Sequence, residues 1–220
     1  MSLEPDLYEQ FARIGRAVAS GPRLALLDLL RQGPRTVESL AKEAGLTLAN
    51  ASQHLKVLRQ ARLVEADKRG VFVTYRVADS SVDSFYSALR GLAETRLAEV
   101  QQIARAFVEK RGSFEAVDKQ RLLERVRAGE VTLLDVRPAQ EYRAAHIEGA
   151  MSVPLSELEK HLGRLPKARE VVAYCRGPYC VLAPQAVTLL QARGYRAFAL
   201  GDGVAEWRAR GLPVVAGSTP

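Results

Sequence analysis

Val171-Val172-Ala173-Tyr174-Cys175-Arg176-Gly177-Pro178-Tyr179-Cys180-Val181 holds both cysteines of this 220-residue chain, and its character changes twice along its length. The apolar run from Val171 to Tyr174 reads as a short buried strand. From 181 to 192 the apolar residues Leu182, Ala186, Leu189 and Leu190 recur at helical spacing. The 175–180 segment is therefore a loop that joins a strand to a helix. Pro184 agrees with a helix that begins near Cys180 or Val181, since only the first helical turn has N–H groups without an internal partner. Such a loop lies over a helix N-terminus, where free N–H groups and the positive dipole end stabilise a thiolate or another anion. Gly177 and Pro178 let the backbone curl so that several N–H groups converge. This loop is the expected reactive centre.

Outward from this loop, strands alternate with helices. A helix over 119–128, strands over 131–136 and 151–154, and a helix over 156–165 precede the loop's own strand. A strand over 196–200 and a small helix over 204–210 follow. This order implies a parallel sheet with helices on both faces, and such sheets bind ligands at the carboxyl ends of their strands, where the cysteine loop falls.

The first half has a different pattern. Leu7, Phe11, Ile14 and Val18 form a helical stripe that ends at Gly21-Pro22. A second helix, apolar on most faces, runs over 22–32. Thr36 caps a short third helix, Gly45 turns the chain, and Thr47 caps a fourth. Two short helices around a glycine turn are a helix-turn-helix signature. On the fourth helix Leu48, Ala51, Leu55 and Leu58 share one face. Asn50, Gln53, Lys56 and Gln60 lie opposite, with Ser52 and His54 at the margins. Such a face is either solvated or placed against DNA, where Asn and Gln pair with adenine edges while Lys56 and Arg59 reach phosphates or guanine. Two strands around a Lys68-Arg69-Gly70 turn come next. A basic hairpin directly after such a helix can lie along a phosphate backbone, and this tips the reading towards DNA.

Residues 7–77 resemble the ArsR-type winged helix-turn-helix repressors, above all in Leu46-Thr47, Ser52-Gln53-His54-Leu55-Lys56-Val57-Leu58 and the 70–76 wing strand. The resemblance implies a homodimer that binds a palindromic double-stranded DNA operator, with Thr47, Asn50, Ser52, Gln53, His54, Lys56, Lys68 and Arg69 as DNA-binding residues and a terminal helix pair as the interface. A single long helical pattern over 82–110 agrees with that, because Phe85, Leu89, Leu92, Leu97, Val100, Ile103 and Phe107 exceed what a small domain can cover. The chain departs from the family's metal sensors. Its first half has no cysteine and residues 82–110 have no histidine, so a soft-metal site there is chemically implausible.

Residues 114–216 resemble the rhodanese sulfurtransferase domain. The motifs are Leu133-Leu134-Asp135-Val136-Arg137, Glu141-Tyr142, His146-Ile147-Glu148-Gly149-Ala150, the cysteine loop, Leu200-Gly201-Asp202-Gly203 to Trp207, and Gly211-Leu212-Pro213-Val214. The resemblance implies that Cys175 is the nucleophile, takes a sulfane sulfur from a donor as a persulfide held by N–H groups of the loop that runs through Arg176, Gly177, Pro178, Tyr179 and Cys180 to its end at Val181, and passes it to a thiol acceptor. Asp135, Arg137 and Glu141 are expected to brace the sheet end and loop by hydrogen bonds. A tyrosine-phosphatase site needs arginine six places after its cysteine, and Val181 stands there. Cys180 has three readings: a small residue that starts the helix, a resolving thiol for Cys175, or a second ligand for a soft metal or arsenic(III).

The chain carries a net charge of +7, shared as 16 basic against 13 acidic residues over 1–110 and 16 against 12 over the rest, so charge alone argues weakly for nucleic acid. Two cysteines are not a secreted disulfide framework, and no apolar run reaches membrane-span length. The expectation is a cytoplasmic protein of two domains, 1–110 and 111–220, with no cofactor, no resident metal and no membrane partner. A mainly α winged helix-turn-helix domain precedes an α/β rhodanese-like domain. The leading function is a DNA-binding regulator whose rhodanese domain forms a Cys175 persulfide. The rivals are a sulfurtransferase that uses the winged helix only for dimerisation, a thiol-based metalloid sensor, and a silent rhodanese used for docking.

Overall fold

The computed structural model describes residues 4–70, 72–111 and 118–217, with side chains described except at 69, 72 and 108–111. The Arg69 side chain, and Gly112-Ser113 of the expected interdomain break, lie outside that set. Internal packing divides the chain between Arg90 and Gly91.

The first unit contains α1 (Pro5–Val18), α2 (Gly21–Arg31), β1 (Arg35–Thr36), α3 (Val37–Glu43), α4 (Leu48–Gln60), β2 (Val64–Arg69) and β3 (Phe72–Val77). The three strands form an antiparallel sheet in the order β1-β3-β2. Its core gathers Leu26, Leu27 and Leu30 of α2, Leu40 of α3, and Leu55 and Leu58 of α4. The Thr36 and Thr47 hydroxyls accept from the N–H groups of Ser39 and Asn50, so both expected caps form. Gly45, at φ +65°, takes the turn between the two helices. Leu48 departs from expectation. It is 50% exposed, because it is the first residue of α4 and sits at the edge of the stripe made by Ala51, Leu55 and Leu58.

The expected single helix over 82–110 is two, α5 (Ser80–Arg96) and α6 (Ala98–Arg111). No glycine or proline marks the break. The Gln101 side chain donates to the carbonyl of Glu94 at 3.1 Å, meeting a backbone acceptor that the interrupted ladder leaves over. The first half of α5 is anchored, since Arg31 of α2 pairs with Asp83, donates to Ser87 Oγ at 3.0 Å and lies 4.5 Å over the Tyr86 ring. Farther along, Leu92, Leu97 and Ile103 stand exposed.

In the second unit a four-stranded parallel sheet has the order β6-β4-β7-β8, from β4 (Val131–Asp135), β6 (Met151–Ser152), β7 (Glu170–Tyr174) and β8 (Ala197–Ala199). A side pair, β5 (His146–Ile147) with β9 (Val214–Val215), is antiparallel. The helices are α7 (Lys119–Arg127), α8 (Ala139–Ala144), α9 (Leu158–His161), α10 (Leu182–Ala192) and α11 (Val204–Ala209). The helix expected over 156–165 is only the one turn of α9, flanked by 3-10 turns at Leu155–Glu157 and Leu162–Arg164. Side chains alternate across the sheet. Val171, Ala173 and then Cys175 join α9 and α10 on one face, while Val172 and Tyr174 join α7, α8 and α11 on the other. Helices thus cover both faces, and the strand that delivers Cys175 is buried on both sides. Among the described residues no helix is long and apolar enough to cross a membrane.

Candidate functional site

Two sets of residues carry chemistry, and each is built within its own unit. On α4, Asn50, Ser52, Gln53 and Lys56 are exposed and His54 is half-buried. They share the face opposite Ala51, Leu55 and Leu58, which are fully buried. Thr47 is exposed but spends its hydroxyl on the cap. Lys68 is exposed beside this helix's hairpin. The hairpin differs from expectation in one respect: β2 continues through Lys68 and Arg69, whose partners are Val73 and Phe72, and Gly70 at φ +62° turns the chain. The basic pair therefore belongs to the strand, where the ladder holds the backbone in place.

At the end of β7, Cys175 is fully buried and Cys180 half-buried. The loop between them curls back, with Cys180 N–H donating to the Gly177 carbonyl at 3.1 Å. Gly177 takes φ +134°, which an L side chain rarely adopts. Helix α10 begins one residue later than the 180–181 expected, with Val181 as its N-cap and Pro184 in its first turn. The backbone N–H groups of Gly177, in the loop, and Ala183, in the first turn of α10, act to lower the pKa of Cys175, and those of Arg176 and Leu182 act likewise on Cys180. The two thiols act on each other's acidity in opposite directions.

That mutual effect divides the acidity of the pair. Burial, and then Cys180, push Cys175 well above the usual thiol range. Cys180 is lowered to about 6, chiefly by the hydrogen bond from Cys175, with the Arg176 and Leu182 N–H groups adding to it against burial. At neutral pH the pair thus holds one proton and one negative charge, with the charge on the more accessible sulfur. The rate of Cys180 alkylation by iodoacetamide is expected to fall as pH drops through about 6 and to be flat above pH 7, where an ordinary thiol of pKa about 8.5 is still gaining reactivity. Cys175→Ala removes the donor and should move the midpoint upward. A wild-type midpoint in the ordinary thiol range would overturn the assignment.

Beneath the loop runs a buried ionic chain. Asp135 accepts from Arg137 Nε at 2.9 Å, from the Arg137 backbone N–H at 3.0 Å and from Tyr174 Oη at 2.7 Å. Arg137 also donates to the Ala145 carbonyl at 2.8 Å. Glu141, itself buried, lies 3.9 Å from Arg137 Nη1 and grips Arg176 of the loop through both carboxylate oxygens, at 2.6 and 3.1 Å. Two supports have no local signal. A Cβ on Gly203 would lie 2.6 Å from the Arg176 carbonyl carbon and 2.8 Å from the Cys175 oxygen, so only glycine lets the start of the 204–209 helix press on the loop. Glu206 accepts from Gly203 N–H at 2.9 Å and closes against Gly177 from the other side. The motif residue Glu141 was legible as a brace, but its partner Arg176 is 35 positions away.

Pro178 sits within the loop and Val181 ends it. Tyr179 is the loop's outward residue. Its hydroxyl donates to Glu94 Oε1 at 2.7 Å, and its ring meets Phe107 edge-on at 6.4 Å. His146 stacks on Tyr142 at 3.6 Å with Nδ1 2.8 Å from the Tyr142 carbonyl. Asp202 pairs with Lys119 at 2.9 Å, and Trp207 is fully buried. Among the described residues no three of His, Cys, Asp and Glu gather as a metal site.

Residues 118–210 match the family described as Rhodanese-like domain, and residues 21–66 match the family described as Bacterial regulatory protein, arsR family. The HTH-type transcriptional regulator Rv0324 of Mycobacterium tuberculosis is 45% identical over 213 residues, which cover 96% of this chain and 93% of that one. A sulfurtransferase of Allochromatium vinosum is 33% identical over 102 residues, 46% of this chain and 94% of its own length. Among solved structures, the homodimeric winged helix-turn-helix DNA-binding domain (fragment 1–100) Mb0332 of Mycobacterium bovis matches with 38% identity and a TM-score of 0.41, over 45% of this chain and 95% of that one.

Proposed function

Because this chain belongs to the arsR family of bacterial regulatory proteins, as an HTH-type transcriptional regulator with a rhodanese-like second half, we propose that it binds double-stranded DNA as a homodimer and that Cys175 accepts a sulfane sulfur as a persulfide. The DNA-reading surface is the outer face of α4 together with the β2–β3 wing. Leu92, Leu97 and Ile103, the last 70% exposed, supply the apolar surface that a second copy covers. The sulfur reading rests on one observation: Cys175 follows the last residue of β7 in a loop that opens helix α10, whose first-turn N–H groups favour a sulfur anion. The protein works in the cytoplasm, whose reducing thiol pool keeps both cysteines available, and its functional division lies at 110/111.

The chemistry starts when the thiolate of the pair passes to Cys175 as the loop opens to a donor such as thiosulfate. Cys175 Sγ attacks the outer sulfur, and sulfite leaves with the electron pair of the broken S–S bond. Intact-mass measurement after anaerobic thiosulfate treatment should show one added sulfur on Cys180→Ser protein and none on Cys175→Ser protein. An unmodified Cys180→Ser protein would remove the persulfide reading. The similarity to a sulfurtransferase favours a second reading, in which the winged helix serves dimerisation alone. A gel shift with the DNA flanking its own gene separates the two, since that reading requires no specific complex.

A further inference from the structure

We infer that Cys180 is a resolving thiol that discharges the Cys175 persulfide within the loop, closing a Cys175–Cys180 disulfide and releasing hydrosulfide. The inference rests on the persulfide reading above and adds a second step to it. Cys175 and Cys180 close the two ends of one loop that curls back on itself through the Cys180 N–H to Gly177 carbonyl bond, and Cys180 packs against the cluster that contains Cys175, so the loop already brings its two ends together. The partners also differ in exposure as the step requires: Cys175 is fully buried, and Cys180 is half-buried.

The electrons balance without a further oxidant. Cys180 thiolate attacks Sγ of the Cys175 persulfide, the Sγ–sulfane bond breaks, and HS⁻ leaves with its electron pair. The two cysteines are oxidised to a disulfide, and the sulfane sulfur brought by the donor is reduced to sulfide. Attack on the outer sulfur instead would expel Cys175 as a thiolate at a fully buried position, and burial disfavours that anion. Exchange prefers the better leaving anion, which directs Cys180 to Sγ. A single turnover consumes only the sulfane donor. Reopening the disulfide takes an external thiol. Tyr179, one residue before Cys180, is the side chain bonded to Glu94 and packed on Phe107, so closing the loop alters that contact.

The test uses the full chain, reduced and kept anaerobic, mixed with thiosulfate; sulfide is assayed and the intact mass read. Wild type should release one sulfide per chain and end two hydrogens lighter. Cys180→Ser and Cys180→Ala should hold the added sulfur and release only background sulfide, and Cys175→Ser should do neither. A wild type that keeps a stable added sulfur, as a persulfide or as a bridging trisulfide, overturns the resolving step while the persulfide reading stands. If neither Cys180 variant gains sulfur while its thermal melt matches that of wild type, the persulfide reading falls, and the resolving step with it.

Discussion

Asp135→Ala should cost the rhodanese-like half about 3–5 kcal/mol, the range for breaking a buried ion pair by removing one partner. The side chains of Asp135 and Arg137 are 0% and 1% exposed, so water cannot replace the lost carboxylate. Arg137 would keep its bond to the Ala145 carbonyl and its approach to Glu141, but lose the Nε bonds to both Asp135 oxygens, at 2.9 and 3.1 Å. Tyr174 Oη would lose its acceptor while still accepting from the Ile147 N–H. Asp135→Asn keeps an acceptor oxygen and should cost less. Urea unfolding, read by a probe in the second half such as Trp207 fluorescence, gives the difference. A loss under about 1 kcal/mol would mean that the buried chain is not what holds the sheet end together. Because Glu141 carries the same network to Arg176, Asp135→Ala should also slow persulfide formation more than a surface change of equal charge.

On DNA, two kinds of change should separate. Asn50→Ala and Gln53→Ala remove exposed amides from the outer face of α4, and each should cost about 1–3 kcal/mol on the operator and little on random DNA. Lys68→Ala removes a charge from the end of β2. It should weaken all sequences alike and lower the slope of log affinity against log salt by about 1. Fluorescence anisotropy on operator and random duplexes, over a salt series, reads both. Equal losses on both duplexes for Asn50→Ala would show that α4 does not read bases. An unchanged salt slope for Lys68→Ala would take the wing off the backbone. Neither substitution touches the buried stripe of Ala51, Leu55 and Leu58, so the fold should hold.

Much of this was legible without coordinates. Caps at Thr36 and Thr47, the turn at Gly45, and the strand, loop and helix around Cys175 are local signals, each spanning a few residues. Where sequence and structure differ, the missing cause was not local. The break at Leu97 has no glycine or proline, and the carbonyl it frees is taken by a side chain from the next helix. Leu48 has the composition of a core residue, but its place at a helix start leaves it exposed. The short β1, β5 and β9 strands exist only because a partner strand lies beside them.

The cysteine loop shows the same division. Periodicity, proline placement and motif residues were enough for two domains of known type and for Cys175 at the end of a buried strand, because each depends on neighbours in the chain. They could not say whether Cys180 faces Cys175. Side-chain direction across a curled loop follows from the loop's φ and ψ angles and from what presses on it. Here those are Gly177 at φ +134°, the Arg176–Glu141 grip, and Gly203 against the Cys175–Arg176 backbone. The last two come from segments tens of residues away. Only folding brings them under the loop, and with them the curl that ties the acidities of the two thiols together.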